Sequence, residues 1–197
     1  MSNLKEQALK IRIDIDKLSK LDSLIVLRME RFNFSTFPIE LTELNQLEYL
    51  ALESSLIKEI PPAIKSLENL DHLSFRLNHL NHIPSEFSDL KNLRAIDLTN
   101  NNLTDISDAL IKSESLKLIV LSNIESSQEI KKGPWYWPYT WYVNNIDYNK
   151  SIEKLRKLTL KDSMKITIQI NNYRERERVK SKLNEQQLKS IKIIHRE

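Results

Sequence analysis

Leucines at a fixed interval dominate the apolar pattern of this chain. Leu24, Leu47, Leu70, Leu93 and Leu116 stand 23 residues apart, and the same order of apolar and polar positions comes after each of them. One copy runs Leu47, Leu50, Leu52, Ser55, Ile57, Ile60, Pro61, Ile64, Leu67, and the next runs Leu70, Leu73, Phe75, Asn78, Leu80, Ile83, Pro84, Phe87, Leu90. Four aligned copies, three of them carrying Ile-Pro or Phe-Pro, exceed what chance periodicity supplies. Ahead of the array, Asn3–Lys10 is rich in helix formers and Ile11–Asp16 alternates apolar with charged residues at the two-residue period of a strand. A short helix and then a strand are predicted there. Leu18 and Leu21 take the places that Leu41 and Leu44 hold one repeat later. Behind the array the spacing breaks after Leu116–Leu121 and resumes at Ile152–Ser163, where Leu155, Leu158 and Leu160 predict another repeat strand with Ser163 in its turn. Leu155 lies 39 residues beyond Leu116, so the fifth repeat carries about 16 extra residues. Lys165–Ile170 predicts a strand, Tyr173 to about Gln187 a helix, and Leu188–Ile194 the strand of a final, 33-residue repeat.

The pattern resembles the leucine-rich repeat in its 23-residue type, found in intracellular signalling scaffolds and in many bacterial proteins. That resemblance implies an α/β leucine-rich-repeat solenoid, a curved right-handed superhelix of about six to seven repeats. Each L-x-x-L-x-L becomes a short strand, and the strands stack about 4.8 Å apart into one parallel sheet on the concave face with the leucines inward. At ~1.5–3 kcal/mol per buried large side chain, several stacked layers offset an ordering entropy that no single repeat could offset alone. Family members satisfy the turn after each strand with a ladder of asparagines. Asn78 and Asn101 match it, Ser55 is a shorter substitute, and Phe32 and Ile124 replace it at the ends. Pro38, Pro61 and Pro84 fall on the outer side, where a fixed φ favours extended or short helical segments. Residues 1–197 are read as a single domain. It comprises an N-terminal cap (1–23), regular repeats (24–115), a repeat with an aromatic insertion (116–154, the insertion at 131–148), and a terminal repeat with a helix and strand cap (155–197).

Composition narrows the chemistry. The single glycine, Gly133, excludes phosphate-cradling loops of the G-x-x-x-x-G-K and G-x-G-x-x-G types. The absence of cysteine removes disulfides, thiolate zinc sites and cysteine nucleophiles, and with them the cysteine-dependent domain that bacterial leucine-rich-repeat ubiquitin ligases carry. No basic segment followed by an apolar run opens the chain, and no window approaches the ~20 apolar residues of a membrane span. A cytoplasmic, reducing compartment is expected, with secretion as an effector the open alternative. Enrichment in Asn, Ile and Lys fits an AT-rich bacterial genome. The net charge of +3 is uneven, since Asn172–Glu197 holds eight Lys/Arg against four Asp/Glu and the basic excess therefore belongs to the tail.

Four groups of residues are candidates for chemistry. The resemblance places the residues flanking the inward leucines on the concave face, with Val26, Tyr49, His72, Ala95 and Leu118 in one row and Glu30, Glu53 and Arg76 beside it. Arg28, Glu30, Arg31, Tyr49, Glu53, His72, Arg76 and Asp97 are the expected partner-binding residues of that face, Tyr and Arg being the types that most often anchor interfaces. The insertion contributes Trp135, Trp137 and Trp141, which either grip a partner or cover leucines at an irregular repeat. His79-Leu-Asn-His82 lies in a post-strand turn with no third ligand set by the pattern, so no metal site is expected. Arg174–Lys182 alternates charges that pair within a helix, Arg174 with Glu177 and Glu175 with Arg178, and it brings no groove-reading motif.

No nucleophile and base are set by spacing, so no catalytic residue and no cofactor are expected. The expected function is a non-enzymatic module binding a protein partner through the concave sheet, with the Trp-rich loop as a possible second element. Nucleic acid and membrane are not expected partners, and the expected state is a monomer. Two other readings stay open: a specialised antagonist, either an effector or a toxin-neutralising immunity protein, and the regulatory subunit of an enzyme.

Overall fold

A computed structural model describes residues 15–18, 20–121, 146, 151–161, 163–170 and 173–194. Seven strands form one parallel sheet in chain order: β1 (Val26–Glu30), β2 (Tyr49–Glu53), β3 (His72–Ser74), β4 (Ala95–Asp97), β5 (Leu118–Leu121), β6 (Lys165–Gln169) and β7 (Ile191–Ile194). Val26 pairs with Tyr49, Tyr49 with His72, His72 with Ala95 and Ala95 with Leu118, so each step across the sheet is the 23-residue interval of the leucines. Alternate positions face the core. Leu27, Leu50, Leu73, Ile96, Ile119, Ile166 and Ile191 make one buried row across all seven strands.

The turn leaving each early strand repeats too. Arg31, Ser54, Leu77 and Asn100 all have φ between 52° and 65°, a left-handed conformation that costs a residue with a Cβ about 1–2 kcal/mol. In the middle coils a buried asparagine one residue further on braces the turn. Asn78 Oδ1 accepts from the Ile57 N–H (3.1 Å) while its Nδ2 donates to the carbonyls of Leu52 (2.6 Å) and Phe75 (3.1 Å). Asn101 repeats these bonds one coil on, to Leu80 N–H, Phe75 O and Leu98 O. Both asparagines are buried, and each ties two coils together. Ser55 is too short to do so and reaches only its own neighbour, Glu53 O, at 3.5 Å. In the first coil the rings of Phe32 and Phe34 stack at 5.9 Å in place of a polar ladder residue.

On the opposite side, 3-10 turns at Ile39–Glu43, Pro62–Ser66 and Ser85–Asp89 each begin at one of the spaced prolines and bury Leu41, Ile64 and Phe87. In the next repeat Ser107 replaces proline, and its Oγ accepts from Ala109 N–H to cap a true α-helix, Asp108–Lys112. Counting from the short Ile15–Leu18 helix as α1, this is α2. The loops that return from these turns are laced sideways by Asn69 to Asn45 O (2.9 Å) and Asn92 to Glu68 O (2.8 Å), a second ladder that the repeat pattern does not predict.

Three expectations are corrected. Ile15 and Asp16, placed in a strand by alternation, lie in the helical turn α1, and the rest of that predicted cap lies outside the described residues. Ile152–Thr159 is not a repeat strand but a helix, α3, and the strand comes later, at Lys165. Its buried residues Ile152, Leu155, Leu158 and Thr159 fall three, six and seven apart, the spacing of one helix face, while Leu160 is 76% exposed. Because Lys165 pairs with Leu118 and Ile191 with Ile166, the enlarged repeat spans 47 residues, not 39, and the last one 25, not 33. Ser163 therefore precedes β6 and is no ladder residue. The predicted helix to Gln187 is two helices, α4 (Tyr173–Ser181) and α5 (Glu185–Ser190). They are split by a capping box in which Asn184 Oδ1 accepts from Gln187 N–H (2.8 Å) and Gln187 Oε1 accepts from Asn184 N–H (3.0 Å).

Helix α3 is pinned from outside the repeat pattern. Lys154 Nζ contacts Asp105 Oδ2 (2.5 Å) and Asp108 Oδ1 (3.2 Å) and donates to Ile106 O (2.9 Å), and Ser151 Oγ donates to the other oxygen of Asp105 (2.7 Å). The ammonium of Lys161 donates to the carbonyls of Leu110 and Ser113 at the C-terminal end of α2. Arg156 donates through Nε and Nη2 to Lys182 O beyond α4. Among the described residues no helix is long and apolar enough to cross a membrane.

Candidate partner-binding face

The face of the sheet opposite the core carries the row Val26, Tyr49, His72, Ala95, Leu118, aligned by direct strand pairing. Tyr49 and His72 stack with ring centroids 6.2 Å apart and planes inclined by 27°. Val26 and Leu118 are exposed at either side of them. Lys165 continues the row onto β6. An aromatic pair flanked by exposed apolar side chains on a rigid sheet offers contact area whose ordering cost has already been met by folding.

The second row runs Arg28, Ala51, Ser74, Asp97, Val120, Thr167, Lys192. It meets the third, Glu30 and Glu53, in a closed polar network. Glu53 is buried, takes an ion pair from Arg28 at 3.1 Å, and accepts from Ser74 Oγ at 2.7 Å. Glu30 pairs with Arg31 at 3.6 Å. Asp97 Oδ1 accepts from Thr99 N–H at 2.8 Å, so its carboxylate shapes the strand end. His72 Nδ1 lies 2.7 Å from Asp71 Oδ2, and the same carboxylate receives Arg94 at 3.3 Å.

Arg76 is the exception. The backbone ladder continues past β3, with Ser54 N–H donating to Arg76 O (3.0 Å) and Leu77 N–H to Thr99 O (2.9 Å), which places Arg76 between Glu53 and Thr99. Its side chain is half-buried, and Nε is shut off from solvent with no acceptor. A buried donor left this way costs about 1–3 kcal/mol. Glu53, its cross-strand neighbour, bonds to Arg28 and Ser74 instead.

The eight sheet residues expected from the repeat register have divided roles. Tyr49, His72 and Arg76 are presented, Arg28 and Glu53 neutralise each other, Glu30 and Arg31 pair at the strand end, and Asp97 holds a turn. Spacing alone carries no signal for which charges are spent internally. Trp135, Trp137 and Trp141 lie outside the described residues. His79 is half-buried, and its pKa is lowered by that burial and then by Lys58, which favours the uncharged ring. No cluster of three or more metal-ligating side chains occurs among the described residues. In α4, Glu177 pairs with Lys180 (3.1 Å) and Arg176 (3.6 Å) instead of the expected Arg174, and Arg176 lies over the Tyr173 ring at 5.1 Å.

A single parallel sheet with coil-to-coil asparagine bonds and helical segments on its other side defines the class as an α/β repeat solenoid. Residues 45–103 match the family model for the leucine rich repeat. Among solved structures it is similar to a leucine-rich-repeat protein of Leptospira interrogans, at 18% identity and a TM-score of 0.57 over 91% of this chain and 50% of that one. An internalin of Listeria monocytogenes aligns at 18% identity and a TM-score of 0.54 over 87% and 49%. The leucine-rich-repeat ectodomain of the receptor kinase SOBIR1 from Arabidopsis thaliana aligns at 26% identity and a TM-score of 0.43 over 49% and 56%. The chain spans about half the length of the solved structures it matches. No curated protein sequence matches it.

Proposed function

We propose that this chain is a non-enzymatic binding module that holds a protein partner on the open face of β1–β5. The observation that carries the reading is the row from Val26 to Leu118, with the Tyr49–His72 stack at its centre and Arg76 beside it. Leucine-rich-repeat domains are in general protein interaction modules, and the side chains here are of the interface-anchoring kind. A catalytic reading has less support, because Glu53 and Glu30 are held in ion pairs and Asp97 in a turn.

Affinity capture from the native cell, comparing the natural chain with Tyr49→Ala/Arg76→Ala, tests the reading. Partner recovery should fall at least tenfold, while Glu43→Ala/Lys65→Ala on the opposite side leaves it unchanged. Equal recovery by the first variant would remove this face from consideration. The tryptophans are assigned by a separate comparison. Trp137→Ala that weakens binding at constant stability makes the insertion a gripping element, and one that lowers the unfolding midpoint makes it a cover.

A further inference from the structure

We infer that the partner presents an extended segment with two carboxylate side chains about five to six residues apart, one seated on Arg76 and the other on Lys165 or Lys192, with an apolar residue between them on Leu118. The inference rests on the proposed use of the open face and adds the chemistry of what lies there.

Charge on the face supports it. In the N-terminal half every carboxylate is already engaged, Glu53 by Arg28, Glu30 by Arg31, and Asp97 by a backbone N–H. Arg76 has no ion pair among the described residues and a buried Nε without an acceptor. Lys165 and Lys192 extend the first and second rows onto β6 and β7, are exposed, and likewise make no ion pair among the described residues. No acidic residue occupies the outward positions of β6 or β7. The face therefore runs from internally neutralised to uncompensated positive charge, with exposed Leu118 and half-buried Val120 between the two cationic points.

Geometry sets the spacing. Arg76 is three strands from Lys165 and four from Lys192, and at ~4.8 Å per strand plus the offset along the strands each pair of Cα atoms is roughly 20 Å apart. An extended chain advances ~3.3 Å per residue, so about six residues span the gap and the reach of the long side chains shortens this to five. Arg76 also suits a carboxylate in particular, because the two terminal nitrogens of its planar guanidinium can bind both oxygens at once.

Selection of a random 12-residue peptide display library on the full chain tests this. The enriched sequences should carry two Asp or Glu five to six residues apart with an apolar residue between, and a synthetic representative should bind at least tenfold more weakly to Arg76→Gln and to Lys165→Gln/Lys192→Gln. Its Asn/Gln counterpart should lose at least tenfold on the natural chain. Enriched sequences without paired acids, or acidic ones that bind Arg76→Gln equally well, overturn the inference. Such peptides could still respond to Tyr49→Ala and Leu118→Ala, in which case the open face stands as a binding surface and only the acidic partner is lost. Peptides indifferent to every substitution on the face overturn both. A 12-nucleotide oligothymidylate that displaces the peptide and itself binds more tightly in an Arg76-dependent way would assign the cations to nucleic acid and overturn the inference.

Discussion

The middle coils and the C-terminal coils belong to one sheet but are held in different ways. Between residues 45 and 103 the same bonds recur at the same interval, as with Asn78 and Asn101 in the core and Asn69 and Asn92 on the returning loops. Beyond β5 the strand pairing continues, but among the described residues neither of these side-chain bonds recurs. Helix α3 is fastened by Lys154 to Asp105, Lys161 reaches carbonyls about fifty residues back, and Arg156 holds the chain past α4. Repetition makes the middle cooperative, because each bond ties one coil to the next. Individually placed clamps hold the C-terminal coils, so that part should open separately and at lower cost.

The sharpest way to break this contrast is at the turn asparagines. Asn78→Ala leaves the Ile57 N–H and the Leu52 carbonyl short of this partner inside the core, while Phe75 O keeps its bond from Asn101, and should cost about 3 kcal/mol. Ser55→Ala at the equivalent place loses one long bond and should cost under ~1 kcal/mol. Urea unfolding monitored by circular dichroism reads both. Similar midpoints for the two variants would mean that the ladder does not hold the coils together.

The next effect down concerns the C-terminal clamp. Lys154→Met should cost about 1 kcal/mol, given partly exposed partners, and hydrogen exchange should rise across Ile152–Thr159 while residues 45–103 stay protected. Uniform loss of protection over the whole chain would show one cooperative unit instead of two. The pH dependence of the natural chain carries the same signature. Burial alone would raise the Asp105 carboxyl, but hydrogen bonds from Lys154, Ser151 and the Ile106 N–H outweigh it and hold the pKa below the usual value. Lys154 is raised, first by its bond to Asp105 and against its own desolvation. A depressed carboxyl stabilises the fold above its unfolded pKa of about 3.9 and loses that contribution as pH falls through the folded value. A raised lysine contributes fully below about 10.4 and loses it as pH climbs through the folded value. The clamp is therefore at full strength across neutral pH and weakens at both extremes, and Lys154→Met should flatten the alkaline limb and part of the acid limb.

What could be read in the sequence divides along the same line. Register, the row on the open face, the ladder asparagines and the proline-led turns were legible because each depends on a residue type recurring at 23-residue intervals. The Ile152–Leu160 segment misled for a physical reason, since Leu-x-x-Leu satisfies a helix face as well as a repeat lead-in. The later alternation Lys165-Ile-Thr-Ile-Gln, with its β-branched residues, was the better strand. On the site, identity was legible and partnership was not. Nothing in the spacing shows that Arg28 neutralises Glu53 while Arg76 is left with an unsatisfied donor.

The smallest effect sharpens the comparison from the backbone. Ser54 occupies the left-handed position after β2 with φ 52°, as Arg31, Leu77 and Asn100 do after their own strands, whereas Ser163 reaches φ 60° before its strand and outside that series. Replacing Ser54 with glycine removes the clash of its Cβ, worth about 1–2 kcal/mol, while restoring some freedom to the unfolded chain, worth about 0.5–1 kcal/mol in the other direction. The net should be a stabilisation of about 0.5 kcal/mol, read as a small rise in unfolding midpoint with an unchanged denaturant slope. Asn100→Gly should gain less, because asparagine already tolerates this conformation. A Ser54→Gly variant that loses stability would mean that the recurring turn is supported by the serine side chain and not merely endured by the backbone, and the middle coils would then share the individually fitted character of the C-terminal ones.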